Sequence, residues 1–193
     1  PSPVKVPAPS GLRAALSEEF NRVRTGFETI INTPPGTKGV RTRTGMPLPD
    51  LLLPLEMPSA FEPYRRYYLA QQRDMELATR PLRAKARDVL ARASPALKTL
   101  ATLDAALDDI LNDRESKLLA HVPVLLEKRF SQLLKEHQYR LESTGLTDNP
   151  AYWMHAGGWL ARFRTDLQTV LLAELDLRLQ PTVGLIEALN HEI

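Results

Sequence analysis

Apolar and polar residues alternate with a helical period along most of this chain. In residues 12–31 the apolar positions recur at steps of three and four, which predicts an amphipathic helix that ends before Pro34. A second run, over residues 60–93, has a near-heptad period. Pro81 lies inside this run, but the apolar phase continues past it, which predicts a kink rather than a break.

The longest periodic stretch covers residues 94–143 and predicts one long helix against which the others pack. Ser94 followed by Pro95 suits a helix start, and the short turn predicts an antiparallel hairpin with the preceding helix. Pro123 lacks a backbone donor and its ring clashes with the carbonyl of Leu119, so we predict a bend there. The apolar side that we expect to face the bundle consists of Leu97, Leu100, Leu103, Leu107, Ile110, Leu111, Leu118, Val122, Leu125, Leu126, Phe130, Leu133, Leu134 and Leu141.

After a predicted left-handed cap at Gly145, the pattern indicates a short helical turn near Pro150 and a last long helix from Trp159 to Pro181. A separate short helix is expected over residues 183–190. The predicted fold is therefore all-α, an elongated antiparallel helical bundle built on one long, proline-bent central helix. No run of residues predicts a strand.

Two segments fall outside the helical pattern. Residues 1–9 contain four prolines and predict a disordered N-terminal segment, which leaves residues 10–193 as a single helical domain. Residues 34–59 contain six prolines and three glycines and predict a long loop. We expect the apolar side chains of this loop to lie along the bundle or to bind a partner; they include Leu51, Leu52, Leu53 and Leu55.

Composition narrows the class of protein but not its activity. The chain has 193 residues, a formal net charge of +2 and no cysteine, so disulfides, thiolate metal sites and cysteine nucleophiles are excluded. No apolar run is long enough to cross a bilayer. These features fit a reducing compartment, and we expect the protein to be cytoplasmic.

Candidate catalytic and metal-binding motifs are weak throughout. Lys38 lies in a segment that resembles a phosphate-binding loop, but it has no following Ser or Thr and a helix precedes it. Asp108, Asp109 and Asp113 resemble an acidic metal motif without the second acidic cluster that such a site needs, so we interpret them as a solvated helix face. We predict a non-enzymatic protein with no catalytic, cofactor-binding or metal-binding residue.

Binding to other macromolecules is the function that the sequence favours. Our first hypothesis is a scaffold or adaptor that makes helix-mediated protein contacts and that also forms a homodimer through its interrupted seams. Tyr152, Trp153 and Trp159 join the loop leucines as candidate partner-binding residues, although aromatic residues serve equally well in a bundle core. The alternative is a nucleic-acid-binding accessory protein that uses the basic helix 62–92, through Arg80, Arg83, Lys85 and Arg87.

Two stretches resemble an uncharacterised family of proteobacterial helical proteins. They run from residues 61–65 (FEPYR) to 93–97 (ASPAL), and from 157–163 (GGWLARF) to 172–181 (LAELDLRLQP). Members of this family are often encoded near membrane proteins similar to proton-driven stator or energy-transducing channels and near OmpA-like proteins. The resemblance implies a cytoplasmic accessory of a membrane-embedded assembly, with a channel complex as partner. It implies no catalytic residues, and it implies a further N-terminal segment.

Overall fold

The computed structural model describes residues 10–36, 45–48, 57 and 59–191, and all regular structure among them is helical. The predicted all-α fold is confirmed. A single 3₁₀ turn, Pro150–Tyr152, precedes the last helix. The α-helices are α1 (Ser10–Asn32), α2 (Glu62–Ala93), α3 (Pro95–Leu119), α4 (Val122–Thr144) and α5 (Trp159–His191).

The chain divides into two compact units, and the boundary crosses α2 and α5. Unit 1 contains most of α1, the later part of α2, almost all of α3 and the later part of α5. Unit 2 contains the earlier parts of α2 and α5 together with α4. The segments of unit 2 are 30–72 and 119–173, and unit 1 takes the rest of the chain. The prediction of a single helical domain from residue 10 stays a prediction.

The predicted bend in the long central helix is present, at residues 120–121. Pro123 lies in the first turn of α4, where its missing N–H costs no helical hydrogen bond. The carbonyl of Leu119, four residues earlier, would have been its helical partner. This carbonyl instead accepts a hydrogen bond from the side-chain amide of Gln72, over 3.5 Å. The long helix is therefore interrupted at the residues just before α4, and Pro123 itself is helical.

The other prolines inside the helices leave them continuous. Helix α2 passes through Pro81, as predicted. Helix α5 also passes through Pro181 and reaches His191, so the predicted end at Pro181 and the separate helix over 183–190 are wrong. Thr182, Leu185 and Leu189 are buried beyond this proline. Their packing continues the buried side of α5 and outweighs the loss of one backbone hydrogen bond.

The helix caps predicted at Ser94 and Gly145 are confirmed. The hydroxyl of Ser94 accepts a hydrogen bond from the backbone N–H of Leu97 at the start of α3, over 3.2 Å. Gly145 ends α4 with φ of +67°, and its N–H donates to the carbonyl of Leu141. The side chain of Asn149 caps the 3₁₀ turn. These local signals could be recognised from the sequence because each depends on only a few neighbouring residues.

The core of unit 2 is aromatic. Phe130 of α4 lies edge-on to Phe163 of α5, with the ring centroids 5.0 Å apart, and it also contacts Trp159. Phe61, just before α2, and Tyr64, in its first turn, complete the cluster. Burial raises the pKa of the Tyr64 hydroxyl, so this residue stays neutral over the physiological range. The aromatic cluster holds α4 and α5 against the start of α2.

Candidate functional site

The outward side of α3 is apolar. Six aliphatic side chains on this helix are between 36% and 75% exposed, and they all lie within unit 1. We call them the leucine face: Leu100, Leu103, Leu107, Ile110, Leu111 and Leu118. Only Leu97 and Ala101 of α3 are buried. The expectation that the apolar side of this helix faces the bundle is therefore wrong for every member except Leu97.

The leucine face has the spacing of a helix-pairing seam. Leu100, Leu103, Leu107 and Ile110 follow one another at steps of three, four and three residues. Such a strict heptad stripe is narrower than the apolar side of an ordinary core helix, and it is typical of a helix that pairs with one other helix. An exposed contiguous apolar patch on a soluble protein commonly marks an interaction site.

The inward side of α3 is acidic instead of apolar. Arg83 donates from Nε and Nη2 to the two carboxylate oxygens of Asp104, over 3.0 and 2.6 Å, and from Nη1 to Asp108 over 2.6 Å. The Nη1 of Arg87 donates to both aspartates, over 3.0 and 2.9 Å. Two arginines one turn apart on α2 thus face two aspartates one turn apart on α3. These residues lie at similar distances before and after the turn at Ser94, as expected of an antiparallel hairpin of α2 and α3.

A second ion-pair group joins the end of α3 to α5. The Nη1 of Arg178 lies 3.0 Å from Glu115, and its Nε and Nη2 contact Glu174 over 2.9 and 2.8 Å. Glu174 is only 3% exposed. Burial raises the pKa of the Glu115 carboxyl, with Arg178 opposing this effect and Glu174 adding to it.

The electrostatics of the first group favour the charged carboxylate. Burial works against ionisation of Asp104, but the hydrogen bonds and charges of Arg83 and Arg87 outweigh it and lower the pKa of that carboxyl. Arg83 is itself 7% exposed. Rotation of α3 about its axis would leave this buried guanidinium without its carboxylates, which is costly. The ion pairs therefore hold the leucine face towards solvent.

The interpretation of the α3 aspartates as a solvated face is corrected for Asp108, which is half-buried in the ion-pair network. A signal for this arrangement was present in the sequence. Acidic residues at positions 104 and 108 and basic residues at positions 83 and 87 form matched i, i+4 pairs across a short hairpin. Opposite charges in this pattern predict a contact between helices as well as they predict a solvated surface.

The predicted aromatic partner residues divide between surface and core. Tyr152 is 63% exposed, whereas Trp153 and Trp159 are buried. The indole N–H of Trp153 donates to Asp148 over 2.8 Å, and the same carboxylate oxygen lies 2.9 Å from Nε2 of His137. The His137 ring stacks on Trp159 with the centroids 6.0 Å apart. Both tryptophans thus belong to the core of unit 2. The leucines of the predicted binding loop, Leu51, Leu52, Leu53 and Leu55, lie outside the described residues.

The residues of the nucleic-acid hypothesis are each paired with a carboxylate. Arg80 lies 2.9 Å from Glu76, and Lys85 contacts Glu19 of α1. Arg83 and Arg87 are held by the aspartates of α3. Phosphate binding depends on cations that are free to replace counterions along the nucleic acid. These pairings weigh against a nucleic-acid interface on α2.

Among the described residues, no three His, Asp or Glu side chains lie close enough together to hold a metal ion. A polar pocket of unit 1, lined in part by Thr79, Asn112, Glu115 and Arg178, has a volume of about 20 Å³, enough for roughly one water molecule. Within the same part of the chain, no helix has both the length and the apolar character needed to span a membrane.

Comparison with known proteins gives a family and no activity. Residues 1–191 match the family described as "Protein of unknown function (DUF3348)". No curated protein matches the chain. No solved structure matches it either.

Proposed function

The chain belongs to the DUF3348 family of proteins of unknown function, and we propose that it is a non-enzymatic scaffold or adaptor that binds proteins through its helices. The observation that carries this proposal is the leucine face of α3. A folded helix that turns its acidic side inward and its aliphatic side to solvent has the polarity of a docking surface.

The size of the exposed surface supports a role in binding. The six side chains of the leucine face together expose the equivalent of about three whole aliphatic side chains. Burying them against a partner would contribute roughly 5–8 kcal/mol before the costs of association are subtracted. This contribution is sufficient for a specific but moderate interaction.

The rigidity of the surface also supports the proposal. Asp104, Asp108 and Glu115 attach α3 to α2 and α5 through charge-assisted hydrogen bonds, which are stronger than neutral ones. A partner therefore meets a helix that is already formed and oriented, and little ordering entropy is lost on binding. This preorganisation of α3 lowers the entropic cost of binding a partner.

We further propose that the protein acts in the cytoplasm as an accessory of a membrane-embedded assembly. Support for this part comes from the resemblance to the proteobacterial family whose members are encoded near stator-like and OmpA-like membrane proteins. The partner in this case is a cytoplasmic part of a channel complex.

Affinity capture from native cells tests the proposal. Wild-type protein is compared with Leu103→Lys, which places a charge in the leucine face, and with the matched control Leu77→Lys. Leu77 is 64% exposed on α2, between the buried Met75 and Thr79, so it points away from the core of unit 1. We expect circular dichroism to show that both variants are folded, because both sites are exposed.

The expected result is a set of proteins that the wild type and Leu77→Lys recover and that Leu103→Lys loses. Membrane-channel proteins in this set would support the accessory role. Recovery of the same proteins with all three baits would overturn the assignment of the docking site to α3. Recovery of no protein with any bait would overturn the adaptor proposal.

A further inference from the structure

We propose that the occupant of the leucine face is the same face of a second copy of this chain, in an antiparallel two-fold dimer. This inference rests on the proposed binding role of α3 and names the partner. In the register that we infer, Leu100 lies opposite Ile110 of the other copy and Leu103 lies opposite Leu107. Each of the four heptad positions of one copy thus lies opposite a heptad position of the other copy.

The seam of α3 is complementary to a second copy of itself. A strict three-four stripe of aliphatic residues packs best against another stripe of the same spacing, because each side chain enters a space between four residues of the facing helix. A two-fold axis brings the same surface together from both copies, as in most homodimers. Two antiparallel copies meet this condition when the axis passes between Leu103 and Leu107.

The distribution of charge along the outward side of α3 also favours a second copy. From Ala96 to Leu111 the seam itself carries no charge, and one flank has the uncharged Thr99 and Ala106, both exposed. On the other flank, the charge of Asp104 is compensated by Arg83 and Arg87. Arg114 and Lys117 continue the seam towards its C-terminal end, where Lys117 pairs with Asp113 over 2.7 Å. A seam without charges gains nothing from a charged partner. An identical apolar stripe therefore complements it best.

The same charges decide the direction of pairing. In a parallel pair, Arg114 would lie beside Arg114 of the other copy, and Lys117 beside its equivalent, which is unfavourable. In the antiparallel register the two Arg114 residues are about 27 Å apart along the seam, given a rise of about 1.5 Å per residue. Each would lie beside the small Ala96 of the other copy, which leaves room for the arginine side chain.

The area of the paired surface suits a dimer. The seam side chains, Leu111 and the flanking residues of both copies would together remove on the order of 1,000 Å² from water, which is the lower end for a specific interface. In this register Leu118 lies opposite position 92, before the start of the other α3, and stays outside the interface. An interface of this size is smaller than that of an obligate dimer, so we expect the dimer to be reversible. The monomer must then be folded by itself, in agreement with the buried cores of both units.

Cysteine cross-linking tests the register directly, because the natural chain contains no cysteine. Leu100→Cys and Ile110→Cys are made in the full chain, and each is oxidised alone and as a mixture. A disulfide needs Cα atoms within about 7 Å. The antiparallel register therefore predicts that the mixture forms a cross-linked dimer and that neither variant does so alone. Leu77→Cys is the matched control and should stay monomeric.

Cross-linking of Leu100→Cys alone, without an increase in the mixture, would overturn the antiparallel arrangement, since a parallel pair places each residue beside its own copy. Sedimentation equilibrium from micromolar to near-millimolar concentration measures the association itself. We expect Leu107→Glu to weaken it by roughly 10-fold or more, and Leu77→Glu to leave it unchanged.

A wild type that remains monomeric over the whole range, with no cross-link in any sample, would overturn the dimer. The outcome for the adaptor proposal is separate. If capture of other proteins still depends on Leu103, the leucine face binds a different protein and the proposed function stands. If capture is independent of Leu103 as well, both proposals fail.

Discussion

Arg83 and Asp104 form a bidentate ion pair between α2 and α3, with Nε and Nη2 of the arginine 3.0 and 2.6 Å from the two carboxylate oxygens. Asp108 accepts a third hydrogen bond from the same guanidinium. The buried arginine therefore has two acidic partners on one side of α3. Its position explains why the aspartates of that helix face α2 and the leucines remain exposed to solvent.

Replacement of Arg83 should destabilise unit 1 strongly. Arg83→Ala leaves Asp104 and Asp108 partly buried with only Arg87 to compensate them. We expect the free energy of unfolding to fall by about 3–5 kcal/mol, as when one partner of a buried ion pair is removed. Urea denaturation followed by circular dichroism measures the change.

Arg80→Ala is the matched control for this loss. Arg80 pairs with Glu76 on the same helix, and its side chain is 58% exposed. Exposed pairs of this kind contribute only about 0.3–0.5 kcal/mol. An equal loss in the two variants would mean that the network on α3 has no special role in stability.

The same network predicts a pH dependence that Asp104→Asn removes. The pKa of Asp104 is lowered from 3.8 in the folded protein, because the hydrogen bonds from Arg83 and Arg87 outweigh the effect of burial. A lowered folded pKa stabilises the protein above the unfolded value, and this contribution is lost as the pH falls through the folded pKa. Asp104→Asn should therefore be less stable by roughly 2 kcal/mol at neutral pH.

The gap between wild type and Asp104→Asn should close as the pH falls below 3.8. Glu115 acts in the opposite direction, because its pKa is raised above 4.5, so its contribution is present at low pH and lost as the pH rises through the folded value. This effect is common to both proteins and cancels in their difference. Thermal melts at a series of pH values measure the gap, and a gap that does not vary with pH would refute the role assigned to Asp104.

Replacement of glycine by alanine should change the free energy of unfolding in opposite directions at two sites. A Cβ at Gly158 would lie 2.2 Å from the backbone carbonyl oxygen of Trp153, so Gly158→Ala must displace the main chain before α5. We expect a loss of roughly 2–4 kcal/mol, typical of severe overpacking. Gly184 lies within α5 with open space around it, so Gly184→Ala should stabilise the protein by up to about 1 kcal/mol.

Urea denaturation of both glycine variants checks these signs. Since the two substitutions add the same methyl group, the difference between them isolates the effect of its surroundings. A tolerated Gly158→Ala would mean that the turn between the 3₁₀ segment and α5 relaxes without loss of packing.

Sequence reasoning was most reliable where a few adjacent residues are decisive. The cap at Ser94, the left-handed glycine at position 145 and the continuity of α2 through Pro81 were all predicted correctly. It failed at Pro181, where α5 continues. The local cost of a proline in a helix is the same at both sites, so the outcome depends on the packing of the residues that follow.

The candidate site was predicted only in part. The apolar positions of α3 were recognised in the sequence, but they were wrongly expected to face the bundle. An amphipathic pattern states which residues share a side of a helix, and it does not state which side meets a neighbour. Trp153 and Trp159 show the same limit, since an aromatic residue suits a core and an interface equally well.

The sequence by itself determined that the chain is helical, where most helices begin and end, and that α3 has one aliphatic and one acidic side. These properties follow from local backbone preferences and from the period of the helix. Only the tertiary structure decided that the acidic side of α3 is turned inward. That choice depends on Arg83 and Arg87, which another helix brings within hydrogen-bonding distance, and it leaves the leucine face available for a partner.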